Sequence, residues 1–392
     1  MSGRTSATVT RDGGARADGL SAFGAAEDAR FMAVALALGR RGLGNTWPNP
    51  AVGALVVRDD GVGPVIVGRG WTQPRGRPHA ETEALRRAGA AAQGATMYVT
   101  LEPCSHHGKT PPCADAIVAA GIARVVTALD DPNPEVAGRG HARLRAAGIV
   151  VAVGEGAAQA LRDHAGHIRR MREGRPQVTL KLAVSADGKG GLAGRKPAAI
   201  TGEAVRDRVH LMRALHDAIL IGVGTALADD PALTCRLPGM MGRSPVRIVL
   251  DAGLRLPLES RLVQTAKQTP VWLFASSLAD AAREQALRSF GVEVLRLEAG
   301  GGRFDLGAVL RLLAERGITR LMVEGGPTVA AGFLAADLVD EAALFRSNVV
   351  VGPDGIDAID GQALEVLTQS PRLRQSGEEP IGADRLATFV RV

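Results

Sequence analysis

His79, Cys104 and Cys113 are residue types that bind a borderline-soft transition metal, and Glu81 stands two positions after the histidine. One neutral imidazole and two thiolates fill three corners of a tetrahedral zinc ion and leave the fourth for water, whose acidity the metal raises. An open fourth corner means chemistry. Glu81 is near enough to reach that water but poorly placed to be a ligand, so it is the expected proton carrier. A closed structural zinc site, or two ordinary small core cysteines, would use the same residue types. The four-ligand ribbon spacing is missing, because the third cysteine, Cys235, lies far downstream beside a turn. Cys235 is expected to be an unreactive thiol.

These side chains need rigid mounts. Pro78 precedes His79, and the stretch 80–89 has helical spacing with Gly89 at its end, which puts His79 and Glu81 in a first turn. Residues 95–101 have strand character. Pro111 and Pro112 then open a helix from Cys113 to about Ala120, so Cys113 lies at a helix N-terminus, where the dipole favours thiolate. Two helix starts are expected to converge on one ion.

Three such donors with a non-ligand Glu beside them resemble the catalytic set of zinc nucleobase deaminases, which usually separate their cysteines by two residues when they act on nucleosides or nucleic acid. Here eight residues intervene, including His106, His107 and Lys109. Cations beside the metal suit a substrate carrying an anion near its base, most simply a phosphate. Asn49-Pro-Ala-Val-Gly53, His79-Ala-Glu81, the run from Leu101 to Cys113 and Asp131-Pro-Asn-Pro-Glu-Val-Ala-Gly-Arg-Gly140 together resemble the bifunctional deaminase/reductase of riboflavin biosynthesis. The resemblance covers nearly the whole chain after the first couple of dozen residues. It implies that Asn49, His106 and Lys109 contact a pyrimidine and its ribosyl phosphate. Where the family often has a histidine seven residues before the zinc histidine, this chain has Thr72.

The pattern restarts after a linker at 171–176. Apolar strands at 177–184, 218–221, 246–250, 271–274 and 292–295 alternate with helical stretches such as 203–214, which predicts a mainly parallel sheet covered by helices and binding at the carboxyl ends of its strands. Arg320-Leu-Met-Val-Glu-Gly-Gly-Pro-Thr328 is a strand ending in glycines before a helix, whose first amides can receive an anion. It is not a G-x-G-x-x-G fingerprint. Lys181-Leu-Ala-Val-Ser-Ala-Asp-Gly188, Ala228-Asp-Asp-Pro-Ala-Leu-Thr234 and Val323 to Thr328 resemble the reductase half of the same family. That resemblance implies NADPH, with Ala183, Thr225, Asp229 and the run Gly326, Pro327, Thr328, Val329, Ala330, Ala331 and Gly332 at the cofactor, and Arg213, Leu233, Arg236 and Glu324 at the substrate. Both arginines suit a ribosyl phosphate, which guanidinium binds bidentately. Pro197, Ala199 and Ala252 depart from the family's Ser, Trp and Ser.

The expected architecture is therefore a cytidine-deaminase-like three-layer αβα domain over 25–173, then a dihydrofolate-reductase-like α/β domain over 176–392, after a disordered tail at 1–24. A chain of 392 residues suits two cores. With two of three cysteines on zinc no structural disulfide remains, which points to the cytoplasm. No apolar run approaches membrane-spanning length. A net charge of +6 could suggest nucleic acid, but the arginines are scattered and aromatics make up 3%, too few for stacking platforms. His164 and His167 are expected on a solvated helix face. The family tends to oligomerise, which implies a homo-oligomer. The rival readings are a tRNA or nucleotide deaminase fused to an unrelated nucleotide-binding domain, and a zinc-stabilised interaction protein.

Overall fold

The computed structural model describes residues 23–106, 111–192 and 200–392. Lys109, Pro197, Ala199 and nearly all of the proposed tail lie outside the described residues.

The first domain is a five-stranded sheet, β1 (Gly53–Asp59), β2 (Pro64–Trp71), β3 (Thr96–Val99), β4 (Arg124–Thr127) and β5 (Val150–Val153), in the order β2-β1-β3-β4-β5. β1 runs antiparallel to both neighbours, and β3, β4 and β5 are mutually parallel. Its helices are α1 (Ala25–Arg40), α2 (Ala80–Ala88), α3 (Cys113–Ala119), α4 (Arg139–Ala146), α5 (Ala157–Asp163) and α6 (Ala165–Glu173). Strand alternation explains the layering. Ala54, Val56, Met97 and Val99 share a core with α2, α3 and α4, whereas Leu55, Val57 and Tyr98 share one with α1. Both faces are apolar, so both must be covered, giving the expected αβα sandwich.

The second domain holds nine strands in the order Glu293–Leu297, Val271–Ser276, Val246–Leu250, Ala218–Gly222, Arg320–Val323, Gln177–Val184, Glu341–Arg346, Asp384–Arg391 and Leu373–Ile381. The first seven are parallel and the last two form an antiparallel hairpin. Apolar periodicity marks six of the seven parallel strands. It misses Glu341–Arg346 and the hairpin, whose edge strand is exposed from 374 to 380 and contains a glycine and a proline.

The helical stretch after 157 breaks at His164 into α5 and α6. The solvated face expected for His164 and His167 is not found: they are 2% and 7% exposed. The reason is tertiary, because α6 lies in the seam between the domains, where a Cβ on Gly166 would come within 2.6 Å of the Thr319 carbonyl. His164 Nε2 is 3.1 Å from Thr100 Oγ1, and His167 Nε2 is 3.1 Å from Asp131 Oδ1. Burial pushes His164 down to about 4 and His216, also buried, down to about 3. A folded pKa below the unfolded value of 6.5 means that the unfolded chain protonates first, so each contribution is complete above pH 6.5 and lost as pH falls. Thermal unfolding should show a loss of about 2 kcal/mol per histidine at pH 5, and His216→Gln should remove about half of that pH dependence.

Candidate active sites

His79 is the N-cap of α2, Cys113 is the first residue of α3, and Cys104 lies in the turn after β3. The three donor atoms lie within 4.8 Å of one another. His79 Nδ1 is 3.3 Å from Cys113 Sγ and 3.7 Å from Cys104 Sγ. Tetrahedral zinc with ordinary Zn–N and Zn–S lengths needs N···S separations of about 3.6 Å, so these residues fit the ion. Electrostatics agree. The Cys113 thiol donates to Cys104 and pulls it down to about 4, with the Cys113 amide adding a 3.3 Å bond to the same sulfur, while the thiol–thiolate bond and burial raise Cys113. The Cys104 thiolate in turn raises His79. Glu81, in the first turn of α2, is 4% exposed, and burial raises its pKa, with the nearby His79 opposing. Its carboxyl meets the Cys113 thiol, so it stands beside the donor set as expected.

Asn49 reaches the same place from the turn between α1 and β1. Its amide donates to the Gly76 carbonyl at 2.9 Å and lies 3.2 Å from His79 Nε2. His106 is exposed in the loop. Thr72, at the family's histidine position, is buried, and its hydroxyl oxygen accepts the Val52 amide at 3.0 Å. It supports β1 instead.

Glu102, in the Leu101-Glu-Pro-Cys104 run, is a contributor that the sequence reading does not single out. It is 3% exposed and accepts the amides of Asp131, Gly138, Gly140 and His141 at 2.8–3.1 Å. The Asp131–Gly140 segment is thereby fixed against Pro103, whose carbonyl would be 2.1 Å from a Cβ on Gly140. The acid directly before Pro103-Cys104 was the available signal. Glu102, Asp130 and His141 also lie close enough to suggest an ion. However, Glu102 is filled by amides and His141 is already partnered by Thr127 Oγ1 and Asp130 Oδ1, each at 3.0 Å.

In the second domain the proposed residues gather at the carboxyl edge of the sheet. Glu324 follows strand Arg320–Val323, and its carboxylate accepts Nε and Nη2 of Arg213 at 2.9–3.1 Å, with Lys181 Nζ at 3.6 Å. Burial pushes Glu324 up, but the two cations outweigh it and hold it below the usual carboxylate range. Arg213 Nη1 also donates to the Thr234 carbonyl. The Arg213 fork is therefore already occupied by Glu324. Among the described residues Arg236 makes no ion pair, and it is exposed. Leu233 is buried in a left-handed backbone conformation at φ 53°.

Gly326 caps the helix Pro327–Ala335, and a Cβ there would be 2.8 Å from Thr225 Oγ1. Gly325 and Gly222 likewise leave no room for a Cβ beside Val329. The Thr328 hydroxyl donates to Asp360 at 2.8 Å. Ala330 and Ala331 are buried in the core, so in the run 326–332 the first turn is what faces a ligand. Gly332 packs near Leu306. Asp229 ends the short helix that starts beside Gly222, and Ala183 lies on strand Gln177–Val184. The closely packed, glycine-bordered helix start fits the phosphates of a dinucleotide.

The family model for the RibD C-terminal domain matches residues 176–386, and that for the cytidine and deoxycytidylate deaminase zinc-binding region matches residues 25–129. The chain is 42% identical over 369 residues to riboflavin biosynthesis protein RibD of Escherichia coli, covering 91% of this chain and 98% of that protein. It is 41% identical to RibD of Bacillus amyloliquefaciens, covering 92% and 95%. The solved structure of Acinetobacter baumannii RibD superposes with a TM-score of 0.83 at 34% identity, over 94% of this chain and 100% of that one. The Thermotoga maritima diaminohydroxyphosphoribosylaminopyrimidine deaminase/5-amino-6-(5-phosphoribosylamino)uracil reductase gives a TM-score of 0.80 at 34% identity, over 94% and 99%. These likenesses span both domains and do not favour a nucleic-acid deaminase with an unrelated partner. The chain belongs to the RibD family of bifunctional riboflavin biosynthesis enzymes, in which a zinc-dependent pyrimidine deaminase is joined to an NADPH-dependent reductase.

Proposed function

We propose the following division of labour among the residues of this chain. His79, Cys104 and Cys113 hold zinc, over a deaminase domain at 25–173. Bound zinc supplies a water acid enough to act as a nucleophile near neutral pH. Glu81 takes the proton of that water and returns it to the amine as the C–N bond breaks, so that ammonia leaves and a carbonyl remains. Asn49, His106 and Lys109 hold the pyrimidine and its ribosyl phosphate. The observation that carries this is the meeting of three donor atoms within 4.8 Å at two helix starts, with a buried non-ligand carboxylate beside them.

The reductase domain at 176–392 binds the deaminated product. Ala183, Thr225, Asp229 and the first turn at 326–329 would hold NADPH, which when bound would supply a hydride for the ribosyl C1, whereas Ala330 and Ala331 belong to the core. Arg236, exposed and without an ion pair among the described residues, is the cation for the substrate phosphate. Arg213 and Glu324 set the pocket wall, and Leu233 fixes the course of the loop. Arg236→Ala should raise the reductase KM about tenfold, consistent with one lost charge-assisted contact, and leave its deaminase unchanged.

The coupled assay that tests this follows ammonia release and then NADPH consumption with purified protein and a diaminopyrimidine ribosyl phosphate. A zinc chelator should abolish the first signal. NADPH oxidation on pre-deaminated substrate should continue, and its loss on chelation would overturn the assignment of zinc to one site only. Among the described residues no helix is long and apolar enough to cross a membrane. Scattered arginines and few aromatics support a small anionic substrate over nucleic acid. The lack of a spare cysteine pair supports a cytoplasmic setting, and membership of the family supports a homo-oligomer.

A further inference from the structure

The turn between α1 and β1 has two sides. On one, Asn49 approaches His79, and the Asn45 carbonyl accepts the amide of Arg75 at 2.8 Å, bracing the loop that leads to the zinc histidine. On the other, the turn rests on the reductase domain along most of its length. Arg243 donates through Nη1 to the Arg41 carbonyl at 3.0 Å and through Nη2 to that of Leu43. Gly44, at φ 74°, sits so close that a Cβ would be 2.5 Å from the Ala214 carbonyl. Trp47 packs edge-on against Trp272 with ring centroids 6.2 Å apart. Pro48 lies against Gly317, where a Cβ would come within 2.7 Å.

We propose that the reductase domain forms the back wall of the deaminase site, and that Arg243 is a positioning residue for the deaminase contributed by the other catalytic domain. The reasoning is mechanical. The twelve-residue turn 41–52, with two glycines and two prolines, is closed by short-range hydrogen bonds such as Asn45 N–H to Gly42 O and Asn49 N–H to Thr46 O, which shape it locally, while its carbonyls at 41 and 43 are bonded by Arg243 of the other domain. Two bonds from one guanidinium fix both carbonyls, which sets the path of the chain into Asn49 and, through Asn45, into the loop before His79. Charge-assisted bonds to carbonyls are the stronger kind and are directional. Arg243 touches neither substrate nor metal, so its effect passes through Asn49. The inference rests on Asn49 acting at the pyrimidine, as proposed above.

The test uses the full chain. Arg243→Met should raise the deaminase KM about tenfold, the scale of one to two charge-assisted hydrogen bonds, with kcat within about twofold and zinc stoichiometry unchanged. Arg243→Lys, which restores a single cation, should recover part of the KM. The loop holding Arg243 also holds Arg236, so reductase kinetics on pre-deaminated substrate are measured beside it and should stay within about twofold. Should Arg243→Met disturb both activities, Gly44→Ala decides, because it pushes the same turn off the reductase from the deaminase side and should show the same selective KM rise. An unchanged deaminase KM in a folded, zinc-loaded Arg243→Met protein overturns the proposal, as does a loss of zinc in place of a KM rise. Failure of the underlying site reading is distinguishable: Asn49→Ala would then leave the wild-type KM intact.

Discussion

Glu81→Gln should reduce ammonia release by about a thousandfold, within the range that positioned proton transfer contributes, while zinc content and NADPH oxidation on pre-deaminated substrate remain at wild-type levels. The substitution keeps the volume and hydrogen-bonding shape of a side chain that is 4% exposed, so packing around α2 is preserved. It removes only the ability to accept and return a proton. Glu81 is not one of the three converging donor atoms, so metal retention is expected. Loss of zinc would make Glu81 a ligand, and retained deamination would show that another group carries the proton. Either result, read by metal analysis and ammonia assay on the same preparation, would sink the assignment.

Arg213→Met should abolish the reductase and lower the thermal stability of the second domain, while the deaminase continues. Glu324 is held by the bidentate Arg213 fork and by Lys181 at 3.6 Å. Removing the nearer cation leaves a poorly compensated carboxylate in the interior, which costs on the order of 3–5 kcal/mol. It also releases the Thr234 carbonyl, and with it the loop carrying Leu233 and Arg236. The double variant Arg213→Met with Glu324→Gln separates the two effects: stability should largely return because no unpaired charge remains, yet activity should not. Recovery of NADPH oxidation in the double variant would show that the pair serves stability alone. A fall in the deaminase kcat of the single variant would contradict the separation of the sites, whereas a rise in its KM is what the released loop would pass on through Arg243.

Much of the chemistry was legible in the linear chain because it depends on residue type and short spacing. His79, Glu81 and Cys113 are tied to helix starts that Pro78, Pro111 and Pro112 announce, and both helices form where the pattern places them. The strands at 177–184 and 246–250 were equally plain, since buried parallel strands are continuous apolar runs. By contrast, His164 and His167 looked like a polar helix face, and the hairpin at 373–391 carried no period. Arg213 looked like a free cation for phosphate, whereas its partner Glu324 comes from more than a hundred residues away.

The sequence by itself determined the two-domain division and singled out the residues proposed as metal donors and proton carrier, because ligand chemistry and local periodicity act over a few residues. The tertiary structure alone decided which charges are spent on one another, that Glu102 ties the Cys104 turn to the segment 131–141, and that the Asn49 turn leans on Arg243. Those outcomes depend on burial and on contacts between distant segments, which exist only once both sheets have packed and α6 has closed the seam between them.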